Sequence, residues 1–215
     1  MPSSTMWSRA WPFEPLAALI SAFGLVGALL AGSAARAGQQ VEAPLADSVR
    51  SALRAAVHAA TPPEPVFVDA AHRARYAQWM RGQDPRLAAW IDNAQVRQDL
   101  LQTVWYEAQR AALPAQRVMG LMQVESAFRK FAISSADARG LMQVMPFWAR
   151  LIGDGDVSAL FQLQVNLRFG CTILRHYLDL EGGDWFMALG RYNGSRGQAA
   201  YPNAVLRAEK NWSLP

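Results

Sequence analysis

Glu125 heads a spaced series of residues suited to one kind of chemistry: Ser126-Ala127-Phe128, then Ala132 and Ser134, then Gly140-Leu141-Met142-Gln143-Val144-Met145-Pro146, and further on Tyr192-Asn193-Gly194. A glycosidic bond breaks through an oxocarbenium-like transition state whose leaving oxygen must be protonated. A carboxylic acid kept neutral by a sheltered site supplies that proton. Pro114 is well placed as the first residue of a helix, and Val118, Leu121, Met122 and the stem of Glu125 then share one face of it. Glu125 thus falls near a helix C-terminus, where the dipole disfavours a carboxylate and raises the acid's pKa in the same direction as burial.

Other residues capable of chemistry have plainer readings. Asp137 is the candidate second carboxylate, or else an organiser of its own loop. Asp154 and Asp156 resemble a fragment of a calcium loop, but the remaining ligands and the closing Glu are absent, so a solvated turn is expected. His58 and His72 have no partner ligands at metal spacing. Cys171, the single cysteine, comes directly after Gly170 in an apolar helical stretch and reads as a buried small residue. No intrachain disulfide can form, and no cysteine lies near the leader to take a lipid.

The elements that must position Glu125 read as helices. Apolar residues recur at helical steps through Tyr76, Trp79 and Met80, and again through Leu100, Leu101, Val104 and Trp105, so two or three helices are expected between 69 and 113. Tryptophans at such spacing read as core rather than as a sugar-stacking platform. Further helices are expected over 141–151, 165–180, 185–191 and 203–212, with turns at 153–156 and 181–184. A weak amphipathic helix is expected over 48–60, before the break at Thr61-Pro62-Pro63-Glu64-Pro65. No alternating strand of useful length is present, so the class is all-α.

The chain has 215 residues, 52% hydrophobic and 18% charged, enough for one domain with extras. Its formal charge of +4 is spread along the sequence. That suits an anionic polymer, whereas nucleic acid is disfavoured by the lack of a basic stripe interleaved with aromatics. Arg9 precedes an apolar run, Leu16 to Leu30, and small residues ending Ala35-Arg36-Ala37, the pattern of an export signal cleaved after Ala37 or kept as a membrane anchor. The expected organisation is a signal at 1–37, a spacer at 38–65, a helical extension at 66–112 and a catalytic domain at 113–212.

From Leu113 to about Val205 the chain resembles the soluble lytic transglycosylase catalytic domain, a lysozyme-like fold of the goose-type lineage. The likeness rests on E-S-x-F at Glu125, A-x-S at Ala132, G-L-M-Q-x-M-P at Gly140, Asn166 and Gly170 before an apolar helix, and Y-N-G at Tyr192. Gly120 to Val124 nearly duplicates Gly140 to Val144 and reads as coincidence, since only the second copy is continued by Met-Pro.

The resemblance implies a lysozyme-like helical domain in which Glu125 is the single catalytic acid and base, supported by Ser126. It further implies that Ser134 and Gln143 hydrogen-bond the substrate, Met145 lines the cleft, Tyr192 bonds near Glu125 and orients it, and Asn193 fixes the turn presenting Tyr192. Blander roles are a helix cap for Ser134 and core filling for Met142 and Met145. The implied reaction cleaves between N-acetylmuramic acid and N-acetylglucosamine and closes a 1,6-anhydro ring, with no metal or organic cofactor. The implied partner is the peptidoglycan strand in the periplasm, within an envelope complex or outside one, with membrane contact only through the N-terminal segment. A hydrolytic muramidase and a non-catalytic wall-binding protein are the alternatives. The chain departs from the family at Ser135-Ala136-Asp137, Phe147-Trp148-Ala149, Gly190-Arg191 and Gly194-Ser195. Arg191 or Arg196 would either meet a substrate carboxylate or lie in solvent.

Overall fold

The computed structural model describes residues 40, 47–57 and 67–214. The expected export signal, His58 and most of the expected spacer lie outside the described residues. Helices run over Asp47–Val57 (α1), Ala70–Leu87 (α2), Ala94–Arg110 (α3), Ala115–Ser126 (α4), Pro146–Ile152 (α5), Leu163–Leu180 (α6), Trp185–Asn193 (α7) and Ala200–Glu209 (α8). Short 3-10 turns occupy Ser158–Phe161 and Lys210–Trp212. Among the described residues the only extended pairing is two isolated bridges, Ile133 with Arg139 and Arg139 with Val144. The all-α class expected from the sequence is the class observed.

Local chemistry sets where these helices start and stop. Asp69, Asn93 and Asp184 cap α2, α3 and α7 by accepting the backbone N–H of His72 (2.6 Å), Val96 (3.1 Å) and Met187 (3.1 Å). Pro114 precedes α4 as its cap residue. That helix ends because Ala127 and Phe128 turn left-handed, at φ 49° and 60°. The helix expected over 141–151 begins only at Pro146. Ahead of it Arg139 and Val144 exchange main-chain hydrogen bonds and Gln143 sits at φ 49°, a conformation no helix accommodates. The helix expected at 203–212 begins at Ala200 and tightens into a 3-10 turn after Glu209.

Packing centres on α4, where Val118, Met119, Leu121 and Met122 expose nothing. α8 crosses close against it at Gly120, where an added Cβ would lie 2.6 Å from Glu209 N and 3.0 Å from Val205 O. Only a glycine lets the two backbones approach that far. On the other side, fully buried Glu107 of α3 accepts Arg168 Nη2 of α6 at 2.9 Å and Arg110 Nε at 2.9 Å. α1 buries Leu53 and Val57 in the same core, and α5 and α6 are the helices it meets. Trp79 is buried, with its indole N–H donating to Leu101 O at 3.2 Å, and Cys171 is fully buried. Trp90 is half-exposed at the edge of this core.

Gly120→Ala should lower stability by about 1–3 kcal/mol, because the clash is with main chain rather than a flexible side chain. Urea unfolding reads this directly. A Gly183→Ala control has open space around its new Cβ but a left-handed backbone at φ 90°, so its cost is conformational and does not involve α8.

Candidate active site

Glu125 occupies the last turn of α4 and is only 8% exposed. Its Oε1 accepts a hydrogen bond from the Tyr201 hydroxyl of α8, while Oε2 is buried with no hydrogen-bond partner. No arginine or lysine pairs with it among the described residues. Burial pushes its pKa from 4.5 up to about 8, against an opposing pull from the Tyr201 hydrogen bond, which favours the charged form. Glu125 is therefore largely protonated at neutral pH. The Tyr201 and Tyr192 phenols are raised well above their usual range, chiefly by burial and then by the Glu125 charge, which places both tyrosines in the acid's electrostatic field.

The segment after α4 is folded against it by a small set of polar contacts. Ser126 Oγ donates to Leu141 O at 2.8 Å, tying the end of α4 to the 140s loop. Asn166 of α6 accepts Met142 N at 2.8 Å and donates to Arg139 O at 2.9 Å and Leu160 O at 2.7 Å, so its whole amide is engaged. Met142 fits because Gly170 has no side chain; a Cβ there would come within 2.4 Å of its sulfur. Among the described residues, four of the five non-glycine residues at positive φ lie in this stretch: Ala127, Phe128, Asp137 and Gln143. Strain of that kind gathers where a fold holds side chains in place for function.

The residues expected at the site take up varied roles. Gln143 is buried and gives both amide protons to main chain, to Gly140 O at 2.9 Å and Ala132 O at 3.2 Å, leaving Oε1 as the atom it can offer a ligand. Ser134 caps no helix; its Oγ accepts Ala138 N at 3.0 Å and Ala136 N at 3.2 Å and closes its own loop, with its own O–H still available to donate. Met145 is half-buried at the start of α5. Tyr192 donates to Met142 O at 2.8 Å rather than to Glu125, so it anchors the loop and Tyr201 is the phenol on the acid. Asn193 donates to Ser195 Oγ at 2.9 Å across the turn after α7. Asp137 pairs with Arg139 at 3.1 Å and orders its loop. Asp156 caps the adjoining 3-10 turn through Ser158 N at 2.8 Å. Arg191 and Arg196 both bind Glu181, at 2.6 and 2.8 Å, and hold its carboxyl down near 2. Both guanidiniums share this one carboxylate, with Arg196 the more exposed of the two.

Sequence reasoning misses Tyr201, which stands just ahead of the helix expected at 203–212. Pro202 carries the usable signal, since proline is favoured in a first helical turn and places Tyr201 at the start of α8.

The buried acid has consequences for stability and titration. The folded protein holds the Glu125 proton to about pH 8, whereas the unfolded chain releases it near 4.5. Stability therefore falls as pH rises between those values, by at most about 1.4 kcal/mol per unit, and levels off above. Glu125→Gln removes this dependence, so its melting temperature should shift in the variant's favour relative to the parent from pH 4.5 to 8 and then keep a constant difference. Tyr201→Phe removes the hydrogen bond that pulls the pKa down, so carboxyl titration followed by NMR should move Glu125 upward.

Comparison with known proteins gives this arrangement its context. A family model described as the Transglycosylase SLT domain matches residues 102–213, just over half of the chain, beginning within α3. A protein of Enterobacteria phage PRD1 named Transglycosylase is 33% identical over 115 residues, which cover 48% of this chain and 42% of that protein. The match thus spans less than half the length of that relative. No solved structure matches the chain. With the family model covering α4, the loop beyond it and both tyrosines, the chain belongs to the transglycosylase SLT domain family.

Proposed function

We propose that the protein is a peptidoglycan lytic transglycosylase of the bacterial envelope, exported by its N-terminal segment, with Glu125 acting first as acid and then as base. The observation that carries this reading is a buried carboxyl with one oxygen free of partners, a setting that pushes its pKa up to about 8. Protonated Glu125 gives its proton to the oxygen joining N-acetylmuramic acid to N-acetylglucosamine, and the C1–O bond breaks as the glucosamine leaves with its 4-hydroxyl. The carboxylate left behind is stabilised by the Tyr201 hydrogen bond. It then takes the proton of the muramic C6 hydroxyl, whose oxygen attacks C1 and closes the 1,6-anhydro ring.

Glu125 returns to its protonated form, so the cycle balances with no water consumed. An internal nucleophile makes a second carboxylate unnecessary, because effective molarity replaces the activation a general base would give to water. Gln143 Oε1, the one amide atom its loop leaves unused, is the acceptor suited to an acetamido N–H. Ser126, Tyr192 and Asn166 act through the loop by keeping it against α4.

Mass spectrometry of muropeptides released from purified peptidoglycan tests the reading. Anhydro-muramyl ends are expected with the parent and absent with Glu125→Gln, which keeps the shape but cannot shuttle a proton. Reducing ends would instead make the protein a hydrolase. The rate should fall as pH rises through about 8, where Glu125 loses the proton it must donate. A rate undiminished at pH 9.5 would remove Glu125 from the acid role.

A further inference from the structure

Phe131 and Ile133 are 72% and 61% exposed, in a loop whose Leu141, Met142 and Val144 are buried. Phe131 lies 5.9 Å from Phe161 between ring centroids. Each ring carries a cation: Lys130 Nζ is 5.3 Å from the centre of Phe131, and the Arg139 guanidinium is 5.7 Å from that of Phe161. Asp137 neutralises Arg139, whereas Lys130 makes no ion pair among the described residues. The two exposed side chains and the half-buried Phe161 ring give this loop an apolar outer surface.

The patch is joined to the acid's surroundings through main chain. Ala132, between the two exposed residues, accepts Gly140 N at 2.9 Å and the Gln143 amide at 3.2 Å, and the same loop meets α4 at Ser126. Lys130 and Phe131 are the central residues of the turn closed by Ala132 N on Arg129 O, and Ile133 follows at the bridge to Arg139. Two tilted rings offer an apolar platform to the face of a pyranose, and the uncommitted ammonium beside them suits a carboxylate. A glycan strand bearing free stem peptides carries both chemistries, and the +4 charge of the chain complements it.

Resting on the lyase reading, we propose that Lys130, Phe131 and Phe161 form an accessory subsite for stem-bearing glycan. The rings take a sugar face, Lys130 takes a stem carboxylate, and Arg139 is a positioning residue that steadies Phe161.

The test uses the full chain with two substrates, peptidoglycan strands with their stems and the same strands stripped of them by an amidase. Phe131→Ala should raise KM about five- to tenfold on both, with kcat held within about twofold, the size expected for losing one aromatic contact in binding. Lys130→Gln should raise KM on stem-bearing strands alone. Both side chains are on the surface, so melting temperatures should match the parent. Unchanged KM for both variants, or a Lys130→Gln effect equal on the two substrates, would overturn the subsite. So would variants that lose binding to phosphatidylglycerol vesicles while glycan affinity stays the same, which would make the patch a membrane contact. Cosedimentation of the Glu125→Gln protein, with and without Phe131→Ala, reads the subsite without turnover. Failure of the lyase reading would therefore show as no product from the parent, separately from the binding result.

Discussion

A buried glutamate with no cation beside it persists in a fold as the neutral acid, because an isolated carboxylate in an apolar setting costs far more than shifting its pKa. The two buried glutamates among the described residues show the contrast. Glu107 receives two arginines and braces α3 against α6, whereas Glu125 receives a single neutral phenol. Elsewhere Glu181, Glu209 and Asp84 are each paired with arginine as well. Withholding a cation from Glu125 leaves a proton donor at neutral pH, and much of the surrounding architecture serves that condition.

The shelter depends on two helices meeting closely. α4 presents Glu125 and α8 presents Tyr201, and the crossing that brings them together is set earlier on α4, at Gly120. The interaction with the acid is thus controlled by a residue that touches no part of it. Beyond α4 the chain turns away through consecutive left-handed residues and returns as a loop held by Asn166, Ser126 and Tyr192. Each of those three side chains bonds main chain, and inside the loop Gln143 and Ser134 do the same while Leu141, Met142 and Val144 are buried. Lys130 and Phe131 project from the exposed turn of this loop, outside the contacts that hold it against α4.

Much of this was legible in the sequence. Proline and Asx residues mark helix starts, and apolar spacing puts Trp79, Leu101 and Val104 in the core. The loop over 141–145 reads as helix because its apolar run, Leu141, Met142 and Val144, is buried as a helix face would be. Periodicity over five residues cannot separate the two, and the positive φ of Gln143 that decides it leaves no mark on composition. The resemblance implies that Tyr192 bonds near Glu125, and it bonds Met142 O, whereas the direct bond to the acid comes from Tyr201 through a long-range helix crossing that no local pattern records. The likeness of Gly120 to Gly140 reads as coincidence in the sequence, yet both are close-approach positions, one against α8 and one against Asn166.

The opposing influences on Glu125 bear on how one residue could serve both halves of a cycle. Desolvation alone favours the acid and would make the carboxylate formed after proton donation a poor resting point. The Tyr201 hydrogen bond partly offsets this by favouring the charged form without supplying a full positive charge. An arginine in its place would hold the group ionised and remove the donor, and a phenylalanine would leave the intermediate carboxylate unsupported. A neutral hydroxyl lies between these limits, and it arrives from a separate helix whose position can be adjusted independently of the acid. For a single-carboxylate mechanism this balance matters more than the absolute pKa, since the same oxygen pair must release a proton in one step and recover one in the next.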